Sequence, residues 1–103
     1  MQYTFELFKS DNPNKKYKVI IYENGIKKKT INFGDSRYKD FIEYNKIDKN
    51  LANERKQRYI QRHSNNENWT KSGIFTAGWW SKWMLWNLST LQASYNDIKR
   101  RFF

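Results

Sequence analysis

The segment RKQRYIQRH, residues 55–63, places Arg55, Lys56, Arg58, Arg62 and His63 within nine positions and holds no acid. Glu54 is the only acid between Asp48 and this run. An ordinary surface helix mixes acids and bases as i,i+4 pairs, and its charged face is simply solvated. A run of one sign instead suits a polyanion, because guanidinium and ammonium groups displace the counterions held by phosphates. Lys27, Lys28 and Lys29 form a second cationic cluster, and Lys71 stands beside a Trp-rich segment. The three hairpin lysines admit two readings: a solvated or lysine-blunted strand edge, or contacts to phosphate.

No catalytic constellation competes with this chemistry. His63 is the only histidine, and no HxxxH, HxH or Asp-rich loop accompanies it. Metal sites need such clusters. Asp11, Asp35, Asp40 and Asp48 are scattered and read as turn or cap residues. Glu54 and Glu67 do not form a metal-binding cluster in sequence, although distant acids could still assemble a nuclease site in three dimensions. GxxxxGK[ST] is absent, so Gly73 and Gly78 are not part of a phosphate loop. The chain is therefore read as a binding protein, not an enzyme, and no cofactor is expected.

The whole sequence supports this emphasis. Its 103 residues carry 20 Lys+Arg against 10 Asp+Glu, a net charge of +10. Such a charge repels itself on a small body and is relieved on a polyanion. Five Trp, seven Tyr and seven Phe argue against disorder and provide a core. One domain is expected at this length. With no cysteine, disulfides and thiolate metal sites are excluded. The opening MQYTFELFKS lacks the basic and apolar regions of a signal peptide, and Ile74 to Trp86 is too short for a membrane span. A soluble, intracellular protein is the expectation.

The elements that must position these residues follow from periodicity. Tyr3, Phe5 and Leu7 alternate within residues 2–9, a strand pattern. Residues 15–23 form the strongest strand, with Tyr17, Val19 and Ile21 on one face. Asn24-Gly25 suits a type I′ turn, which needs positive φ at both central positions. Residues 26–33 then return, with Ile31 and Phe33 on one face. These runs predict a three-stranded antiparallel meander over residues 1–34, with the helical part over 35–103. Tyr38, Phe41 and Ile42 predict a short helix over 37–45. Asp48 is positioned to cap a helix running through His63. A helix over 76–86 would align Trp79, Trp83 and Trp86, with Trp80 and Met84 on a neighbouring side. Core burial is the commoner fate of such aromatics, with one or two left at the surface beside Lys82 and Lys71. Ser89 to Gln92 reads as a capping box, followed by the apolar stripe Leu91, Tyr95, Ile98 and Phe102. Lys99, Arg100 and Arg101 fall in the last turn of that helix.

The segment 58–102 resembles a family of small uncharacterised proteins of large DNA viruses of protists. Arg58-Tyr59 with Arg62-His63, Trp69 to Gly73, Thr76 to Gly78, Leu85 to Asn87, and Ser89 to Leu91 with Ile98 carry the resemblance. The Asn24-Gly25 turn and Asn32 to Gly34 extend it upstream to about Lys15. At Leu88 the chain departs from the Lys-Pro-like helix start expected there. The resemblance implies a viral protein, packaged in the particle or acting at the viral factory or in the nucleus of an infected host.

The expected fold is α+β: a three-stranded antiparallel β-meander followed by three or four α-helices packed on one face. The expected function is nucleic-acid binding, mainly to the phosphate backbone and without sequence preference, with DNA favoured over RNA. The candidate contacts are Lys27, Lys28, Lys29, Arg55, Lys56, Arg58, Arg62, His63 and Lys71. One alternative is a structural component of a virus particle that meets acidic viral or host proteins through an exposed Trp-rich patch. The other is a peripheral membrane binder using Trp79 to Trp86.

Overall fold

The computed structural model describes residues 2–103. Strands β1 (Tyr3–Lys9), β2 (Lys15–Glu23) and β3 (Ile26–Asp35) form an antiparallel sheet in the order β1-β2-β3. Phe5 pairs with Ile21, Val19 with Ile31 and Tyr17 with Phe33. The alternation therefore puts Phe5, Val19, Ile21, Ile31 and Phe33 on one buried face. The other face is polar and laced by side-chain bonds, such as the Tyr22 hydroxyl donating to Glu6 at 2.6 Å.

Asn24 and Gly25 adopt φ of 51° and 81°, the left-handed pair that the type I′ turn requires. Past the turn, Tyr22 faces Lys27 while Ile21 faces Lys29, so Lys28 is the extra residue of a bulge. Lys29 thereby shares the inner side of β3 with Ile31 and Phe33, and its ammonium donates to the Phe75 carbonyl at 2.9 Å.

The helical layer consists of α1 (Phe41–Asn45), α2 (Lys49–His63), α3 (Ala77–Trp80) and α4 (Leu91–Phe102). A 3₁₀ turn at Lys71–Gly73 precedes α3, and a π turn at Ser81–Leu85 continues it. Asp48 caps α2 as expected, its carboxylate accepting from the Asn50 amide at 2.8 Å. Helix α1 is shorter than the periodicity suggested. The Asp40 carboxylate accepts from the Glu43 amide and starts the helix there. Asp35 holds the preceding turn through the Arg37 amide. Tyr38 therefore lies outside the helix and is 64% exposed. Helix α4 begins one residue later than the Ser89 capping box implies. The Thr90 hydroxyl accepts from the Ala93 amide at 3.1 Å, and Gln92 instead bonds Asn96.

The sheet face and the helices enclose one core. Trp79, Trp80, Met84 and Ile98 are fully buried against it. Trp80 packs at 5.0 Å from Phe5, and Trp79 at 5.0 Å from Phe102 of α4. The π turn widens the helix, with the Trp86 amide bonding back to Ser81 at 3.2 Å. The straight-helix expectation that Trp79, Trp83 and Trp86 share a side is thereby corrected. Trp83 leans on Phe102, while Trp86 stacks on Tyr59 of α2 at 4.5 Å. Gly34, at φ 79°, leaves room for this segment, because a Cβ there would lie 2.7 Å from a Leu85 methyl. Three indole N–H groups staple the approach to α3. Trp79 donates to Thr70, Trp80 to Ile74 and Trp83 to Trp69, all on carbonyls at 2.7–2.9 Å. Among the described residues no helix is long and apolar enough to cross a membrane.

Candidate functional site

Helix α2 turns a single face toward a cleft of about 680 Å³. Arg55, Arg58, Tyr59, Arg62 and His63 form that face, spaced i, i+3, i+4, i+7 and i+8, the neighbours on a helix surface. Across from them lie Lys15 and Lys16 at the start of β2 and Gly34 and Asp35 at the end of β3. Tyr38, Lys39, Asp40 and Tyr44 line it from the α1 region. Gly78, Ser81 and Trp86 close it from the α3 side, together with Glu67. Phe33 and Leu85, both buried, supply its apolar depth.

The electrostatics leave this cleft cationic. Its acids are Asp35, Asp40 and Glu67. Arg37 holds Asp35 by a hydrogen-bonded ion pair at 2.8 Å, and that guanidinium lowers the carboxyl to about 2. Asp40 is taken by the Lys16 ammonium at 2.8 Å. Burial by itself would lower Lys16, but its bonds to Asp40 and Glu43 outweigh that and raise it. Lys16 is thus a structural cation. Arg58 pairs with Glu54 at 2.7 Å, with both side chains more than half exposed. Such a pair is worth about 0.3–0.5 kcal/mol and holds the guanidinium only weakly. Lys15, Lys39, Arg55 and Arg62 make no ion pair with any carboxylate among the described residues.

Aromatic rings accompany these cations. The Arg55 guanidinium lies 5.7 Å from the Tyr44 ring, and that of Arg37 lies 5.3 Å from Tyr38. Tyr59 is buried between rings. Trp86 stacks on it at an interplanar angle of 5°, and His63 lies 4.4 Å away. Burial raises the Tyr59 phenol above its ordinary range, and Glu67 adds to the effect. Among the described residues no group of three or more His, Asp or Glu side chains is placed to hold a metal ion.

Of the candidates read from sequence, the structure brings Arg55, Arg58, Arg62 and His63 to this cleft, and the other five do not line it. Lys56 lies to one side of that face, donating to the Asn87 carbonyl at 2.6 Å and lying 4.8 Å from the Phe41 ring. Burial lowers its ammonium below the ordinary range. Lys28 approaches Glu23 at 3.8 Å, and Lys29 is bonded to Phe75. Lys27 and Lys71 are exposed elsewhere on the surface. Lys15, Lys39, Tyr38 and Tyr44 join the site without having been singled out. Lys15 read as the start of a strand, and Tyr38 as part of an apolar helix stripe.

The Trp-rich segment does not form an exposed patch. Trp79, Trp80 and Met84 are in the core, and Trp83 and Trp86 are half-buried.

Comparison with known proteins found no match among curated proteins and none among solved structures. A family model does match over residues 5–63, more than half of the chain, spanning most of the meander, α1 and the whole of α2. The matched stretch thus contains Lys15, Lys39 and the basic face of α2, and the chain belongs to the Family of unknown function (DUF5754).

Proposed function

We propose that this protein binds nucleic acid through the α2 cleft, mainly by its phosphates and with little reading of sequence. The observation that supports the reading is the convergence of Arg55, Arg58 and Arg62 with Lys15 and Lys39 on one concavity in which Asp35 and Asp40 are already paired with Arg37 and Lys16, leaving Glu67 as its one acid without an ion pair among the described residues. Phosphate contacts give affinity without sequence information, and nothing else in the cleft forms a reactive cluster. DNA is favoured over RNA. The resemblance of the C-terminal half extends the proposal to a protein of a large DNA virus of protists, packaged in its particle or working at its factory.

Five available cations neutralise up to about five phosphates, so log K should fall with log salt at a slope of roughly −3.5 to −4.5. Between 50 and 200 mM salt the affinity drops on the order of a hundredfold or more. Fluorescence anisotropy of a labelled oligonucleotide measures this directly. The Arg55→Ala/Arg62→Ala double variant should flatten the slope by about 1.5–2 units. The Lys27→Ala/Lys28→Ala variant should leave it nearly unchanged. An unchanged slope in the arginine variant removes the cleft as the site, and absence of binding at 50 mM salt removes the function.

A further inference from the structure

We infer that the cleft takes a single strand of nucleic acid and not a duplex. This inference rests on the nucleic-acid reading above and specifies the form of the polymer. The first support is the shape of the cationic surface. Proteins read duplex grooves with a projecting helix or ribbon that enters a groove about 12 Å wide. Here the basic face of α2, with its arginines exposed, forms one wall of a cleft. The ends of β2 and β3 and the α3 segment supply its other walls. The helix therefore meets a ligand as one wall of a concavity and not as a projecting rod.

The second support is size. About 680 Å³ lies within the roughly 300–1,000 Å³ range of clefts that enclose small organic ligands. A segment of about two nucleotides matches that size. The third is the placing of aromatic rings among the cations. Tyr38 is largely exposed where it lines the cleft, and Tyr44 lies beside Arg55. Single-strand sites combine a cationic track for the backbone with rings on which unpaired bases stack. A duplex keeps its bases stacked on one another and leaves such rings unused.

The test is anisotropy at 50 mM salt with a labelled 12-nucleotide thymidine strand and a labelled 12-base-pair duplex. The strand should bind at least tenfold more tightly. Tyr38→Ala should weaken strand binding about fivefold or more without altering the salt slope, because stacking releases no counterions. Tyr38 is exposed, so its loss leaves the core intact. Equal or tighter duplex binding overturns the single-strand inference and leaves the nucleic-acid reading standing. Failure of both probes to bind overturns both. Thymidine monophosphate competing as well as the strand, mole for mole, also overturns the inference, since it makes the cleft a mononucleotide site.

Discussion

Replacing Asp97 should expose how the helical layer is locked. Its side chain is 4% exposed and sits in α4 opposite the junction that follows the π turn. One carboxylate oxygen accepts from the Asn87 side-chain amide at 2.8 Å. The other accepts from Arg101 at 3.0 Å and from Arg100. Asn87 is itself buried, and its carbonyl accepts from Lys56 of α2. One carboxylate thus ties α4 to the α3–α4 junction and, through Asn87, to α2. Asp97→Ala leaves the Asn87 amide buried without its acceptor, which costs about 1–3 kcal/mol. The two arginines are 75% and 51% exposed, so the loss of their pairs adds no more than about 1 kcal/mol together. The total, roughly 1–4 kcal/mol, is a sizeable part of the 5–15 kcal/mol typical of a domain. At about 4–8 °C per kcal/mol, Tm should fall by roughly 4–32 °C.

The pH dependence has a definite sign. Burial alone would raise the Asp97 carboxyl, but the bonds from Asn87, Arg101 and Arg100 outweigh it and hold it below the ordinary value. A depressed carboxyl contributes stability that is fully present above the unfolded value near 3.9 and is lost as pH falls through the folded one. Urea denaturation followed by Trp emission should therefore show the gap between wild type and Asp97→Asn narrowing as pH falls from about 5 toward 2. A cost for Asp97→Ala below about 0.5 kcal/mol, or a gap that stays constant with pH, would refute the locking role.

Other substitutions probe separate parts of the molecule. Lys82 lies 4.1 Å from the Trp83 ring centroid, and burial, with Lys56 and Arg101 nearby, lowers its ammonium to about 8. The folded state therefore disfavours the charge, and wild-type stability should rise with pH from about 8 to 10.5. Lys82→Met should be more stable than wild type at pH 7, with the advantage shrinking across that window in urea titrations; a pH-independent difference counts against it. Two glycines should respond oppositely to alanine. At Gly73 a Cβ would overlap the Asn68 backbone carbonyl, so Gly73→Ala should lose about 1–3 kcal/mol by thermal melting. At Gly78 it would meet only the movable carboxylate end of Glu67, so Gly78→Ala should stay within about 1 kcal/mol, and a larger loss would mean Glu67 is held in place. Gly25→Ala places a side chain at φ 81° in open space and should cost about 1 kcal/mol from backbone strain alone, measurable by urea denaturation.

The strands, the Asn24-Gly25 turn, the Asp48 cap and the α4 stripe were legible before any coordinates. Each depends on residues within a few positions of one another. Alternation by two set the buried face of Val19, Ile21, Ile31 and Phe33 whatever packed on it. The one-signed face of α2 was equally readable, because Arg55, Arg58, Arg62 and His63 recur at helical spacing. Local spacing misled where a competing short-range bond won. The Asp40 cap shortened α1 and released Tyr38, and the Thr90 hydroxyl displaced the Ser89 cap. The π turn sent Trp83 and Trp86 to different neighbours.

Sequence therefore determined which residues share a face within one element, and it determined the sign of the molecule's charge. Tertiary structure alone decided which cations meet. Lys15, Lys39 and the α2 arginines come from segments separated by up to 47 positions, and they converge only after the aromatic core has set where β2, α1 and α2 lie. It also decided which cations were already engaged: Lys56 on Asn87, Lys29 on Phe75, and Lys16 on Asp40. Periodicity propagates along a helix or strand, whereas convergence depends on the packing of side chains far apart in the chain.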